Sequence, residues 1–520
     1  MDAKAGPDFP SDRGPGADES IFREGRNCWR VAQAERVGLI VDAADYFVLL
    51  RKVMIATKRE LLLIGWDFDF EIEMLPGQSD GDGMAPDGYP NLLGPFLEAV
   101  VERAPGLDLY LLKWNGAMLA APGRILPTLA LYVFGSERIH FALDGHHPFG
   151  ACHHQKIVVA DDRFAFCGGI DATADRWDTP EHLPDDPRRG RKDGAPSVPW
   201  HDATMALTGP AATELATLSR RRWLRATGDD LIRPDDMVPI DWPDGLDIAV
   251  RDVPVAIART EPPYDGEDLV DEVERLYLDA IDAARDLIYI ESQYLSAQSI
   301  ISALEKRLRD PEGPEIVIIN PMAALNAVED KAMHVLRGRA IEQLSKVDPG
   351  KRFRIYHPVN AAEDPIYVHA KVLIIDDRLL RLGSSNIDDR SLGFDTECDV
   401  AFEDGPDAKA AIGAFLARLV GEHLHVPPET VMETRQDLGS LIAAIDALNQ
   451  PAGRGLRAIR QMEEDPLGAC LADTRLFDPR YEAGESSSAG LGVRPRHLAI
   501  AGVICGLGLL GWLAFRNRRQ

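Results

Sequence analysis

Two stretches of the 520-residue chain carry the same three ionisable residues at the same intervals. His154, Lys156 and Asp161 stand as H-x-K-x-x-x-x-D in ACHHQKIVVADDRFAFCGGID, and His369, Lys371 and Asp376 repeat the spacing in VHAKVLIIDDRLLRLGSSNID. A buried strand has no packing use for an imidazole and an ammonium group two residues apart. Residues two apart on a strand share a face, so each stretch presents its histidine and lysine side by side, with the aspartate at the turn that follows four apolar residues. Two imidazoles and two ammonium groups converging on one point suit phosphoryl transfer. The ammonium groups stabilise charge on the non-bridging oxygens, one imidazole attacks phosphorus, and the other protonates the departing alcohol. The two histidines must start in opposite protonation states, which nearby carboxylates can set. This chemistry requires no divalent metal. The His146, His147, Cys152, His153, His154 run matches no regular zinc spacing, so no metal and no cofactor are expected.

The elements that must position these groups also occur twice. DAADYFVLLRKVMIATKRELLLIGWDFDF, from Asp42, reads as an amphipathic helix followed by a buried strand, and DLVDEVERLYLDAIDAARDLIYIESQYLS repeats that order. GLDLYLLKWN is answered by PEIVIINPM, RIHFALD by FRIYHPV, and the two histidine motifs lie 215 residues apart. Helices alternating with continuous apolar strands predict an α/β fold with sheets covered on both faces. Packing of the two copies about a pseudo-twofold axis would bring the four cationic groups together. A loop-rich tract from Thr179 to Pro199 separates the copies, and the second begins near Asp241–Asp247.

The paired motifs resemble those of the phospholipase D superfamily. In the second copy they are followed by Gly383-Ser384-Ser385-Asn386, matching the family's G-S-x-N turn, and by Glu397, where the family often holds an acidic residue that orients a catalytic imidazole. The first copy carries Gly168-Gly169-Ile170-Asp171 instead, with Asp171 in place of asparagine. Pro199-Trp200-His201-Asp202 resembles a P-W-H-D segment of the eukaryotic-type branch, and IYIESQYL its I-Y-I-E-N-Q segment, with Ser292 replacing asparagine. The resemblance covers about Cys28 to Pro427. It implies two duplicated phospholipase D-like α-β-α sandwich units, one per motif. It also implies His154 as nucleophile and His369 as general acid, then base. Lys156, Lys371 and Asn386 would bind phosphate, and Asp161, Asp376 and Glu397 would support the histidines. Ser384 and Asp171 belong to the supporting turns. His201 is a candidate for substrate contact, its other reading being structural.

The chain is thus expected to comprise a disordered lead-in (1–27), a first unit (28–245), a second unit (246–427), a helical, acidic tail with a flexible tether (428–493), and a basic-flanked anchor (494–520). Within the last, Leu498 to Phe515 is an uncharged apolar run of 18 residues. At about 1.5 Å per residue it approaches the thickness of a bilayer's hydrocarbon core. A single C-terminal transmembrane helix is therefore expected. The polar N-terminus carries no secretory signal, placing the catalytic part in the cytoplasm. The net charge of −27 speaks against a nucleic-acid partner. Arg188, Arg189, Arg191 and Lys192 form a local basic group, read as a solvated loop or a contact with anionic lipid. The six scattered cysteines read as buried thiols in a reducing compartment. The resemblance implies cleavage of a phospholipid to phosphatidic acid and free headgroup, with water or an alcohol as acceptor and a monomer sufficient for one site. A cardiolipin or phosphatidylserine synthase is the alternative, ahead of a superfamily nuclease or a non-catalytic membrane scaffold.

Overall fold

The computed structural model describes residues 20–117, 135–189, 197–235, 238–403, 405–460 and 466–481. The strands of the first copy are β1 (Arg30–Val41), β2 (Glu60–Gly65), β3 (Asp108–Trp114), β4 (Ile139–Asp144), β5 (Ile157–Ala160), β6 (Phe164–Gly168), β7 (Trp200–His201) and β8 (Ala203–Thr208). The second copy supplies β9 (Val250–Glu261), β10 (Val270–Asp271), β11 (Leu287–Glu291), β12 (Glu315–Ile319), β13 (Phe353–Val359), β14 (Tyr367–Val368), β15 (Val372–Ile375), β16 (Leu379–Gly383), β17 (Glu397–Glu403) and β18 (Gly455–Ala458). The helices flanking the site are α1 (Ala43–Ala56), α2 (Pro210–Thr227), α3 (Glu272–Ala283) and α4 (Pro406–Leu424).

The strand order runs β4-β3-β2-β5-β6-β8-β1 and continues through β9-β17-β16-β15-β11-β12-β13-β18. Each half repeats the other with its order reversed, as a pseudo-twofold axis between β1 and β9 requires. The two units are therefore not separate sandwiches: antiparallel pairing of Arg30 with Ile257 through Val37 with Val250 fuses them into one sheet. The reason lies in the apolar residues of β1, β8, β9 and β17, which form one core shared by both copies. Strands β2, β5 and β15 are buried along their whole length, which explains their uninterrupted apolar sequence. Helices α2 and α4 each start with a positive-φ glycine followed by proline, Gly209-Pro210 and Gly405-Pro406. Proline suits the first helical position, where its missing N–H costs nothing.

Several boundaries differ from expectation. Ile21 and Cys28 are buried in the core of the second copy, and Ser20 and the Ile21 amide bind Glu403, so the lead-in becomes part of the fold by residue 20. The tail after Pro427 is not merely appended either. Helix Leu441–Leu448 packs on the shared core, and β18 closes the sheet edge by pairing with β13. Cys28, Cys152, Cys167 and Cys398 are buried, whereas Cys470 is exposed. The apolar run 498–515 lies outside the described residues. Among the described residues no helix is long and apolar enough to cross a membrane.

Candidate functional site

His154 and Lys156 lie in the extended segment just before β5, and His369 and Lys371 just before β15, rather than within the strands. Each segment is tied to the opposite half. Tyr367 and Val368 pair with Trp200 and His201 in parallel, and the His369 amide donates to the His201 carbonyl at 2.8 Å. Symmetrically, His153 bridges Thr396, and the His154 amide donates to the Thr396 carbonyl at 2.9 Å. The residue after each docking strand is an acid, and that acid meets the histidine across the pseudo-twofold. His154 Nδ1 lies 2.9 Å from Glu397 Oε2, and His369 Nδ1 lies 2.7 Å from Asp202 Oδ2. With Nδ1–H given to a carboxylate, each ring presents Nε2 to the site. Ser384 Oγ donates to Glu397 Oε2 at 2.5 Å, and Cys398 N–H to Ser384 Oγ at 3.0 Å, fixing the carboxylate.

Both lysines curl back over their histidines. Lys156 Nζ donates to the His154 carbonyl at 3.0 Å and pairs with Asp171 Oδ2 at 3.2 Å, while Lys371 Nζ donates to the His369 carbonyl. Asn386 takes Asp171's place in the second copy, and its buried Oδ1 has no hydrogen-bond partner. Burial first, and then the charges of Lys156 and Lys371, push His154 well below the usual histidine range. Burial followed by Lys371, Arg176 and Lys156 does the same to His369. Lys371 is brought down to about 7, chiefly by burial, with Lys156 and Arg176 opposing the pull of Asp202. Burial raises Glu397 and Asp202. This assembly of positive groups is relieved by an anion such as a phosphodiester, whose negative charge favours the cationic forms of both lysines and of one imidazole.

The glycine-for-serine difference between the copies has a steric cause. A Cβ on Gly169 would stand 2.1 Å from Asp202 Oδ1. The shorter aspartate of one half occupies the space a side chain would need, whereas the longer glutamate of the other leaves room for Ser384 to hydrogen-bond it.

Asp161 and Asp376 serve differently from expectation. They occupy left-handed backbone, with φ of 48° and 53°, in tight turns closed by Arg163 N–H to Ala160 O and Arg378 N–H to Ile375 O. Asp161 accepts from the amides of Lys58, Arg59 and Glu60, and Asp376 from those of Arg285, Asp286 and Leu287. They pin the strand that enters beside each motif, at the end of β5 and β15 away from the imidazoles, and do not support the histidines directly. His201 is fully buried with both ring nitrogens on carboxylates, Nε2 2.8 Å from Glu291 and Nδ1 2.8 Å from Glu422. Those contacts fit the structural reading of His201. Arg189 is likewise no solvated loop residue: it is buried and paired with Asp178 at 3.0 Å. Arg191 and Lys192 lie outside the described residues.

Two residues facing the site were missed in the sequence. In the sequence Asp202 stands out only as the last residue of P-W-H-D. Matching β8 to β17 pairs Asp202 with Glu397, but the 34-residue gap from Gly168 against 14 from Gly383 hides the correspondence. Arg176 lies 4.3 Å over the Trp200 ring, which is stacked on Tyr367 and 5.1 Å from the His369 ring. No local pattern marks it.

Comparison with known proteins agrees with this geometry. Residues 144–244 match the family model described as phospholipase D, and residues 277–418 the one described as cardiolipin synthase, PLD-like domain. Similar curated proteins include phospholipase D A of Dictyostelium discoideum, 24% identical over 76% of this chain and 36% of that protein. Phospholipase D alpha 1 of Carica papaya is 24% identical over 64% of this chain and 55% of that protein. The chain thus spans about half or less of the length of these relatives. Among solved structures, phosphatidylserine synthase of Haemophilus influenzae matches 86% of this chain and 95% of its own, with a TM-score of 0.54 and 11% identity, a likeness of fold.

Proposed function

Because this chain belongs to the phospholipase D superfamily, we propose that it is a phospholipase D, cleaving the distal phosphodiester of a glycerophospholipid to phosphatidic acid and a free headgroup. The observation that carries the reading is the reciprocal pairing of His154 with Glu397 and of His369 with Asp202 beside two lysines. His154 Nε2 attacks phosphorus, and the headgroup oxygen leaves with the proton from His369 Nε2. His369 then takes a proton from water, whose oxygen displaces His154 and regenerates the free imidazole. Lys156, Lys371 and Asn386 hold the non-bridging oxygens. Arg176, 4.3 Å over Trp200 on the His369 side, adds positive charge where the phosphate sits. The uncharged run 498–515 fits work at a bilayer.

Incubation with phosphatidylcholine and a few per cent of a primary alcohol tests this. Phosphatidic acid and the phosphatidyl alcohol are expected together, and both are lost in His154→Ala and His369→Ala. A second reading, phosphatidyl transfer to a lipid alcohol or serine, is favoured by the cardiolipin synthase-type match over 277–418. It uses the same intermediate and differs in the acceptor. Cardiolipin or phosphatidylserine formed from the appropriate donor, with no product from phosphatidylcholine, would replace the hydrolase by the synthase.

A further inference from the structure

Behind Asp202 lies a second group of ionisable side chains that the phosphoryl chemistry does not use. Asp42, His182, His201 and Glu422 come from the end of β1, the loop before β7, β7 itself and α4. One donor atom from each lies within 4.8 Å of all the others. The edges of this cluster are short. His182 Nε2 is 3.2 Å from Glu422 Oε1 and 3.7 Å from Asp42 Oδ2. His201 Nδ1 is 2.8 Å from the same Glu422 oxygen and 3.5 Å from Asp42 Oδ1. Four ligands about 2.0–2.1 Å from a tetrahedral zinc ion stand about 3.3 Å apart, close to these spacings.

Three further observations separate this cluster from an ordinary buried ion-pair network. Asp42 Oδ2 is buried and has no hydrogen-bond partner. Asp42 stands at the N-cap of α1, yet its side chain accepts no capping hydrogen bond and its φ is +66°. The backbone is strained and a helix cap forgone, and the carboxylate turns inward. Both imidazoles, moreover, have their far nitrogen on a second carboxylate. His182 Nδ1 lies 3.0 Å from Asp178 Oδ2, and His201 Nε2 lies 2.8 Å from Glu291 Oε2. Those outer acids are themselves held, Asp178 by Arg189 and the Trp200 amide, Glu291 by Tyr289 and His423. A carboxylate behind each histidine fixes the tautomer that points a lone pair at a metal. Here it does so twice, toward the same point.

We propose that Asp42, His182, His201 and Glu422 bind one divalent transition-metal ion, zinc in the first instance, as a structural site. The donor set of two imidazoles and two carboxylates suits zinc in a closed tetrahedron. The bound ion ties α4 of the second half to the end of β1 and to β7. That junction carries the second catalytic carboxylate: the Asp42 amide donates to the Asp202 carbonyl at 2.8 Å, and Asp202 N–H to Asp42 Oδ1 at 3.3 Å. The ion therefore positions Asp202, and through it His369, without touching substrate. Ligands at positions 42, 182, 201 and 422 form no sequence motif, which is why the spacing of the histidines does not announce them.

The test is metal content of the purified full chain, exposed to zinc and desalted, followed by calorimetric titration of chelator-treated protein with zinc chloride. One zinc per chain is expected, with a rise in melting temperature on binding. His182→Ala should abolish retention. Asp178→Asn, which leaves the ligands in place, should weaken binding about 10–100-fold. His140→Ala, at a half-exposed histidine paired with Asp108, should leave the stoichiometry at one. Cobalt in place of zinc should show the visible absorption of a tetrahedral ion. Failure of the wild-type chain to retain or titrate a stoichiometric ion would overturn the proposal. So would zinc held equally well by folded His182→Ala and Glu422→Gln chains. Neither readout depends on catalytic activity, so the site stands or falls independently of the phospholipase reading.

Discussion

The two halves of the site share a backbone plan and differ in chemistry. On one side His154 leans on Glu397, which Ser384 braces, and Lys156 is paired with Asp171. On the other, His369 leans on Asp202, Gly169 makes room for that acid, and Asn386 stands where Asp171 would be. Burial and the lysines hold both rings well below the usual histidine range; Asp171 and Asp395 oppose this at His154, and Arg176 adds to it at His369. A few substitutions in a duplicated frame thus give two identical motifs different surroundings. The assignment of His154 rather than His369 as nucleophile rests on the family resemblance, because both rings are held alike by a carboxylate across the pseudo-twofold.

The sharpest way to break this comparison is to remove each imidazole in turn. His154→Ala and His369→Ala should each lower kcat on phospholipid by about 10⁴-fold or more. A nitrophenyl phosphodiester, whose leaving group needs no proton, separates them. His369→Ala should then give a burst of nitrophenol and a trapped phosphohistidine, and His154→Ala neither. The opposite pattern would exchange the roles. Next in size, Glu397→Gln and Asp202→Asn should each cost about 10²–10⁴-fold in kcat with folding retained, because the amide no longer fixes the tautomer of its histidine. Equal losses would show that the two supports are equivalent, and a larger loss at Glu397 that the nucleophile depends more on its partner.

The pH dependence of kcat/KM sharpens the comparison further. Lys371 titrates near 7 in the free protein. It carries its charge below that pH and loses it as pH rises, so kcat/KM should fall on the alkaline side. Lys371→Arg keeps its charge throughout and should flatten that limb, at a cost below the ~10²-fold of losing a donor outright. A limb unchanged by Lys371→Arg would assign it to another group. The smallest effect belongs to Asp171→Asn, which makes the two turns alike. Removing a carboxylate that raises His154 should move the acidic limb to lower pH and change the rate by less than about tenfold; a shift to higher pH would contradict the charge reading.

Much of this arrangement was legible in sequence because it is local and repeated. The motifs and the strand counterparts such as GLDLYLLKWN and PEIVIINPM follow from period and spacing, and the pairing of Glu397 with an imidazole from the family resemblance. What was not legible depends on how the copies join. That the two sheets are one follows from β1 meeting β9, and nothing within β1 alone selects that partner over another apolar strand. The resemblance assigns Asp161 and Asp376 to support the histidines, whereas in the structure each pins three amides at the start of a strand. Ile21 falls in the expected disordered lead-in, since a few apolar residues after a Pro- and Gly-rich stretch make no periodic signal. Its burial is a property of the core it meets.

The exchange of carboxylates between halves also sets a timetable. His154 and Glu397 are 243 residues apart, and His369 and Asp202 are 167. At a synthesis rate of roughly 5–20 residues per second, His154 leaves the ribosome about 10–50 s before its acid exists. During that interval the first half can form local contacts, but β1 has no β9 to pair with and the imidazole no partner. Contacts of such long range close slowly and late. Catalytic competence is therefore acquired in one late step, when the second half docks. Recovery of activity during refolding reports that docking event rather than the earlier formation of helices and strands.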